Sequence, residues 1–214
     1  MNRQQAANYI CPATGSTLQL EIAKANGDEV IEGLLRNSSN VAFAIADGIP
    51  DFTWPPVLQA SDEQTRQSYE DMAQEYDCYA ALPFITYRAD EHAVRERMVD
   101  KLELQAGSQV LEVGCGNGTV LSALSEIKTL HLTGADIYLS GVKFAKSQVP
   151  GVDFVQIDAL NMPFEKKFDA IGCFDVLEHI ENDIQVLRQL YKALKKDSYL
   201  FIRVPQYPWL WSEI

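Results

Sequence analysis

The feature that most constrains this chain is a short apolar run, Val110-Leu111-Glu112-Val113, passing straight into Gly114-Cys115-Gly116-Asn117-Gly118-Thr119. Glycines at alternate positions let the backbone turn sharply and approach a ligand closely, which side chains would prevent. Residues 118–127 then read as a helix, whose first N–H groups have no partner within the helix and are open to an acceptor. A strand, a glycine turn and a helix in that order begin a doubly wound α/β fold.

The second half of the chain keeps that alternation. Residues 130–137, 153–157, 168–174 and 199–204 read as strands, and 140–148 as a helix. Residues 183–195 carry Ile184, Leu187, Leu190 and Leu194 at helical spacing. Strands alternating with helices of this length imply a parallel sheet with helices on both faces.

The first part reads differently. Leu18, Leu20 and Ile22 alternate with polar residues, and residues 30–35 and 41–45 are further candidate strands. Asn26-Gly27-Asp28 suits a hairpin turn, Asp47-Gly48-Ile49-Pro50 reads as another turn, and Trp54-Pro55-Pro56 reads as a linker. Between the two parts, Ser61-Asp62-Glu63 opens a helical stretch with Tyr69, Met72 and Tyr76 at helical spacing, and a second helix is expected over 90–104. The expected division is therefore a small β-rich module over 1–57, a helical lid or linker over 58–104 and an α/β core over 105–214.

Composition narrows the function. The net charge of −12 repels phosphate backbones, so no nucleic-acid partner is expected. Apolar runs are too short for the ~20 residues that a membrane span needs, and no secretory signal is evident. Four scattered cysteines suggest no disulfide framework, which places the chain in a reducing cytoplasm.

The loop itself discriminates between ligands. A dinucleotide fingerprint spaces its glycines G-x-G-x-x-G, but here the spacing is G-x-G-x-G, with Thr119 in the third position. Glu112 stands two residues before the first glycine. Its charge would oppose a pyrophosphate, yet it suits the ammonium of an amino-acid end. A nucleotide-binding oxidoreductase is thereby disfavoured.

Glu112-Val113-Gly114-Cys115-Gly116-Asn117-Gly118 resembles motif I of the class I S-adenosylmethionine-dependent methyltransferases, and the resemblance runs for about a hundred residues. It implies a Rossmann-like core and S-adenosylmethionine as cofactor. Beside Glu112, Gly114, Cys115, Gly116 and Gly118, it points to Asp136 and Ile137 at the second strand end, with Asp136 accepting from both ribose hydroxyls. It points also to Asp158 and Ala159 at the third, meeting the adenine amino group and a ring nitrogen. Plainer roles stand beside these: Asp136 as a helix cap, Asp158 as a turn cap, and Met162 as core rather than adenine contact. Asp175-Val176-Leu177-Glu178-His179-Ile180 resembles the segment after strand four in menaquinone- and ubiquinone-type members, where Phe174 and Asp175 would line the methionyl end.

The implied reaction is transfer of the sulfonium methyl group to a nucleophile, with the protein aligning the reactants. His179 is the candidate base, against a structural role in a loop. Asp175, Glu178 and His179 are too few for a metal, and none is expected. Tyr69 and Tyr76 belong either to a lid over the cofactor or to plain helix packing. Residues 11–54 resemble a zinc ribbon that has lost its cysteine pairs: Cys11 remains, while Thr14, Asn37 and Asn40 stand at the other positions. One thiolate cannot hold structural zinc.

Relatives of this family continue past strand five with a helix and a β-hairpin, so that hairpin reads as missing, and a homodimer or partner chain is expected over the strand-five edge. The acceptor expected is a small molecule. The alternatives are a non-catalytic S-adenosylmethionine-binding or regulatory subunit, and a methyltransferase acting on protein or RNA.

Overall fold

A computed structural model of the chain describes residues 1–56, 58, 60–75, 104–127 and 129–204. The strands are β1 (Gln19–Asn26), β2 (Glu29–Arg36), β3 (Ala42–Ala46), β4 (Ile49–Phe52), β5 (Gln109–Val113), β6 (His131–Asp136), β7 (Asp153–Ile157), β8 (Phe168–Phe174) and β9 (Leu194–Arg203). The helices are α1 (Ala60–Glu75), α2 (Thr119–Leu124), α3 (Leu139–Gln148) and α4 (Asp183–Ala193). The second helix expected over 90–104, with His92, lies outside the described residues apart from Leu104, as do Tyr76 and the segment 205–214.

All of these strands join one nine-stranded sheet, in the order β1-β2-β3-β4-β7-β6-β5-β8-β9. From β4 to β9 every neighbouring pair is parallel, and the first three pairings are antiparallel. The order reverses beside β5, since β6 lies on one side of it and β8 on the other. In open α/β sheets, ligands settle at the carboxyl ends of the strands where the order reverses.

Side-chain alternation sorts the core into two layers. Val110 of β5 packs with Val120, Leu121 and Leu124 of α2 and with Val142 and Ala145 of α3. Leu111 and Val113 point the other way and pack with Val186, Leu190 and Ala193 of α4. The α/β architecture with helices on both faces is therefore present as expected.

Two local expectations are corrected. Ile49 and Pro50 do not belong to a turn; with Asp51 and Phe52 they form β4, while the turn is confined to Asp47-Gly48. Pro50 lacks an N–H, but its pairing partner is Ile45 of β3, and the parallel ladder to β7 involves only Asp51 and Phe52. The helix expected to reach Lys195 ends at Ala193, because Leu194 pairs with Phe168 and opens β9. Pairing with a neighbouring strand overrides the amphipathic pattern there.

β4 makes the small β module continuous with the core. Asp51 lies opposite Gln156 and Phe52 opposite Ile157. Tyr9, Cys11, Val30, Leu35, Phe43, Ile45 and Phe52 share one buried cluster with Leu111, Ile157 and Phe164. The Ile10 N–H also donates to the Pro163 carbonyl at 2.9 Å.

Within the module, Cys11, Thr14, Asn37 and Asn40 are joined by hydrogen bonds. Buried Asn37 donates through Nδ2 to Thr14 Oγ1 at 3.3 Å and Ser16 Oγ at 3.2 Å, and its Oδ1 accepts from the Val41 N–H at 2.8 Å. Thr14 N–H in turn donates to the Cys11 carbonyl. An Asn37→Ala substitution removes all three bonds and is expected to cost about 1–3 kcal/mol. The check is urea unfolding: the midpoint should fall while the slope stays unchanged.

Candidate functional site

The glycine loop is wrapped around the end of β6. The N–H groups of Gly114 and Cys115 both donate to the Ala135 carbonyl, at 2.8 and 3.1 Å. Gly114, Gly116 and Gly118 have φ of 75°, 47° and 82°, the left-handed region that side chains rarely tolerate. Gly114 also has no room: a Cβ there would stand 2.0 Å from Val176 Cγ2. Gly116 is the opposite case, with open space where its Cβ would be.

Asp136 is the knot of the site. Its Oδ2 accepts from the Gly116 N–H at 2.7 Å and its Oδ1 from the Tyr138 N–H at 2.8 Å. The carboxylate therefore fixes the glycine loop and the entry to α3. Burial pushes its carboxyl above the ordinary range, and the nearby Glu70 charge adds to this; the N–H groups of Tyr138, Gly116 and Ile137 pull it back.

A cavity of about 200 Å³ opens beside these groups. Gly114, Gly116, Asp136 and Ile137 line it, as do Asp158 and Ala159 from the end of β7 and Asp175 and His179 from the end of β8. Tyr69 of α1 lines it as well. Four strand ends that lie far apart in the chain thus meet at one place.

Other expected site residues stand apart from the wall. Glu112 is buried within β5 and, by alternation, faces the same side of the sheet as Val110. Gly118 packs against Ala145 and Val149. Phe174 lies in the core, its ring 5.5 Å from that of Phe201, and Met162 is fully buried. Cys115 is buried too; burial, with Asp136 and Glu112 adding negative charge nearby, pushes its thiol well above the ordinary range. That thiol is not a nucleophile near neutral pH.

Asp158 caps its own turn, Oδ1 accepting from the Leu160 N–H at 2.8 Å, and lines the cavity at the same time. Asp175, at a φ of 54°, pairs with Arg203 of β9: Oδ2 lies 2.6 Å from one guanidinium nitrogen and 3.0 Å from Nε. Among the described residues, no cluster of three or more His, Cys, Asp or Glu side chains is arranged to hold a metal ion. Nor, among the described residues, is any helix long and apolar enough to cross a membrane.

Sequence reasoning missed several wall residues, namely Val113, Tyr138, Ile157, Leu160, Val176 and Ile180. They are apolar or aromatic, and only their place next to the acidic strand ends could have marked them.

Residues 87–213 match the family model of the methyltransferase domain. The chain belongs to that family, within the class I S-adenosylmethionine-dependent methyltransferases. It is similar to the wheat (Triticum aestivum) phosphoethanolamine N-methyltransferase 1, 33% identical over 112 residues, which are 50% of this chain and 22% of that protein. It is 28% identical over 119 residues to the ubiquinone biosynthesis O-methyltransferase of Pseudomonas aeruginosa, covering 53% of this chain and 51% of that one. The chain spans about half or less of the length of these curated relatives. A solved Methanococcus maripaludis structure, provisionally described as an S-adenosyl-L-methionine-dependent methyltransferase, superposes with a TM-score of 0.54 at 17% identity, over 64% of this chain and 62% of that one. That likeness concerns the fold.

The family's cofactor suits the observed wall. Adenosine offers an amino group and two hydroxyls as donors and a flat apolar face. The cavity wall includes the carboxylates of Asp136 and Asp158 together with apolar Ile137, Ile157 and Leu160. The open space beside Gly116 leaves room for a ligand against bare backbone.

Proposed function

We propose that this chain is a methyltransferase that binds S-adenosylmethionine at the β5–β6–β7–β8 strand ends and methylates a small molecule in the cytoplasm. The observation that carries the reading is the convergence of the glycine loop, Asp136 and Asp158 on one cavity. When bound, the cofactor supplies an activated methyl group on a sulfonium.

The protein's own residues then orient and exclude. In this reading Asp136 receives the ribose hydroxyls at the edge of its carboxylate that faces the cavity. Asp158 receives the adenine amino group, and the Ala159 N–H meets a ring nitrogen. Glu112 sets a negative charge beneath the amino-acid end. His179, on the 3-10 turn Leu177–His179, lines the same cavity and is assigned to take the acceptor's proton when the nucleophile carries one. The small-molecule class is supported by the named O- and N-methyltransferase relatives and by the net charge of −12, which disfavours nucleic acid. Helix α1 is assigned to a lid over the cavity, with Tyr69 in the cavity wall.

The test is calorimetric titration with S-adenosylmethionine and S-adenosylhomocysteine, followed by an acceptor screen with labelled methyl donor. Saturable one-site binding of both ligands and label transfer to a small molecule are expected. Binding of neither ligand would end the reading. Binding without transfer to any acceptor would favour a regulatory subunit.

A further inference from the structure

Helix α3 starts without a cap of its own. Its N-cap position is Tyr138, which makes no side-chain capping bond. Exposed N–H groups at a helix start need an acceptor, and a carboxylate serves best because it also complements the helix dipole. Here the acceptor comes from another element. Glu70 of α1, itself buried, accepts from the Ser140 N–H at 3.2 Å through Oε1 and from the Ser140 hydroxyl through Oε2.

The neighbouring residue explains why this matters. Tyr69 lines the cavity, and its ring lies 5.7 Å from that of Tyr138, tilted by 38°. Tyr138 also lines the cavity, next to Asp136 and Ile137. A bond from Glu70 to the first turn of α3 thus fixes Tyr69 against the wall that holds Asp136.

We infer that Glu70 is a positioning residue for the cofactor: it latches α1 to the start of α3 and so makes Tyr69 one side of the binding cavity. The inference rests on the S-adenosylmethionine reading above and names how the cavity is closed. Glu70 does not touch the ligand; it acts through Tyr69. A latch of this kind slows release more than it speeds capture, because the ligand leaves only when α1 lifts.

The test measures S-adenosylhomocysteine association and dissociation by stopped-flow mixing on the whole chain. Glu70→Ala is expected to release the ligand about tenfold faster, the scale of one lost hydrogen bond to a charged group. The association rate should change much less. Glu70→Gln keeps an acceptor for the Ser140 N–H and should restore most of the residence time. Ser140→Ala removes the hydroxyl from the other side and should move release in the same direction, which guards against a Glu70→Ala protein that fails to fold. The decisive comparison is Tyr69→Ala with and without Glu70→Ala: if Glu70 acts through Tyr69, the double variant matches Tyr69→Ala alone. Additive effects, or release from Glu70→Ala within twofold of wild type, would overturn the latch. Failure of the wild-type chain to bind S-adenosylmethionine or its product would overturn the cofactor reading itself, which keeps the two failures distinct.

Discussion

The Asp136→Ala protein is expected to bind S-adenosylhomocysteine at least about a hundredfold more weakly than wild type. In the proposed binding mode two ribose hydroxyls lose a charged acceptor, and each such bond is worth about 1.5–3 kcal/mol. The same substitution strips the acceptor from the Gly116 and Tyr138 N–H groups, so the glycine loop keeps only its backbone bonds to Ala135 of β6. Asp136→Asn separates the two effects. Its amide offers one oxygen for the two N–H groups and should fall between alanine and wild type. A loss of less than about tenfold in the alanine variant would move the ribose away from Asp136.

Asp136 also predicts the pH response. Its carboxyl is raised by burial, so acidification protonates it at a higher pH than the ordinary value of about 4. Ligand binding needs the ionised form, so affinity should decline above the pH at which an exposed aspartate titrates. Stability moves the opposite way. The folded state holds this proton more tightly than the unfolded chain, so the stability from this group is present at low pH and is lost as pH rises through the folded-state value. Affinity by calorimetry and stability by urea titration, over the same acid range, should therefore slope in opposite directions for this residue. Asp136→Ala should abolish both contributions.

The second large effect is at Phe52. The side chain is fully buried, with the rings of Tyr9 and Phe43 each 4.9 Å away. It sits where the antiparallel meander meets the parallel sheet, opposite Ile157. Phe52→Ala is expected to cost about 3–5 kcal/mol, since the surrounding strands cannot collapse into the gap. That is a large share of the ~5–15 kcal/mol that holds an ordinary domain together. Ligand affinity should fall with it, because Ile157 directly precedes Asp158. Asn161 adds a second link, donating to the Trp54 carbonyl at 2.8 Å next to the same turn. Urea unfolding with and without S-adenosylhomocysteine checks both parts. A cost below about 1 kcal/mol would mean that the β module is a loosely attached appendage.

Much of the site was legible before the fold was known, and the reason is local. Gly114, Gly116, Asp136 and Asp158 each sit at a strand end, where periodicity marks the end of the strand and the residue type marks the chemistry. β4 was hidden because Asp47-Gly48-Ile49-Pro50 carries every mark of a turn, and its pairing partner β7 is remote in sequence. Glu70 was hidden for the same reason. A carboxylate on a helix reads as solvated surface, and nothing near it announces Ser140. The Asp175–Arg203 pair and the contact of Val176 with Gly114 also arise only when β5, β8 and β9 come together. The end of α4 was misplaced because Leu194 continues the apolar stripe while its backbone already serves β9.

The junction of β4 with β7 has a consequence for the growing chain on the ribosome. β1, β2 and β3 can pair as soon as they emerge, since each finds its partner across a short turn. β4 then presents its outer ladder to water, and Asp51 and Phe52 wait for Gln156 and Ile157, which are synthesised after the whole first βαβ unit. Unpaired edges are places where foreign strands add, and distant pairings form slowly. The nascent protein therefore carries an open edge from the synthesis of Phe52 to that of Ile157, and closure of that edge coincides with the arrival of the residues that precede Asp158. Completion of the N-terminal fold and completion of the Asp158 turn are one event in the life of each new molecule.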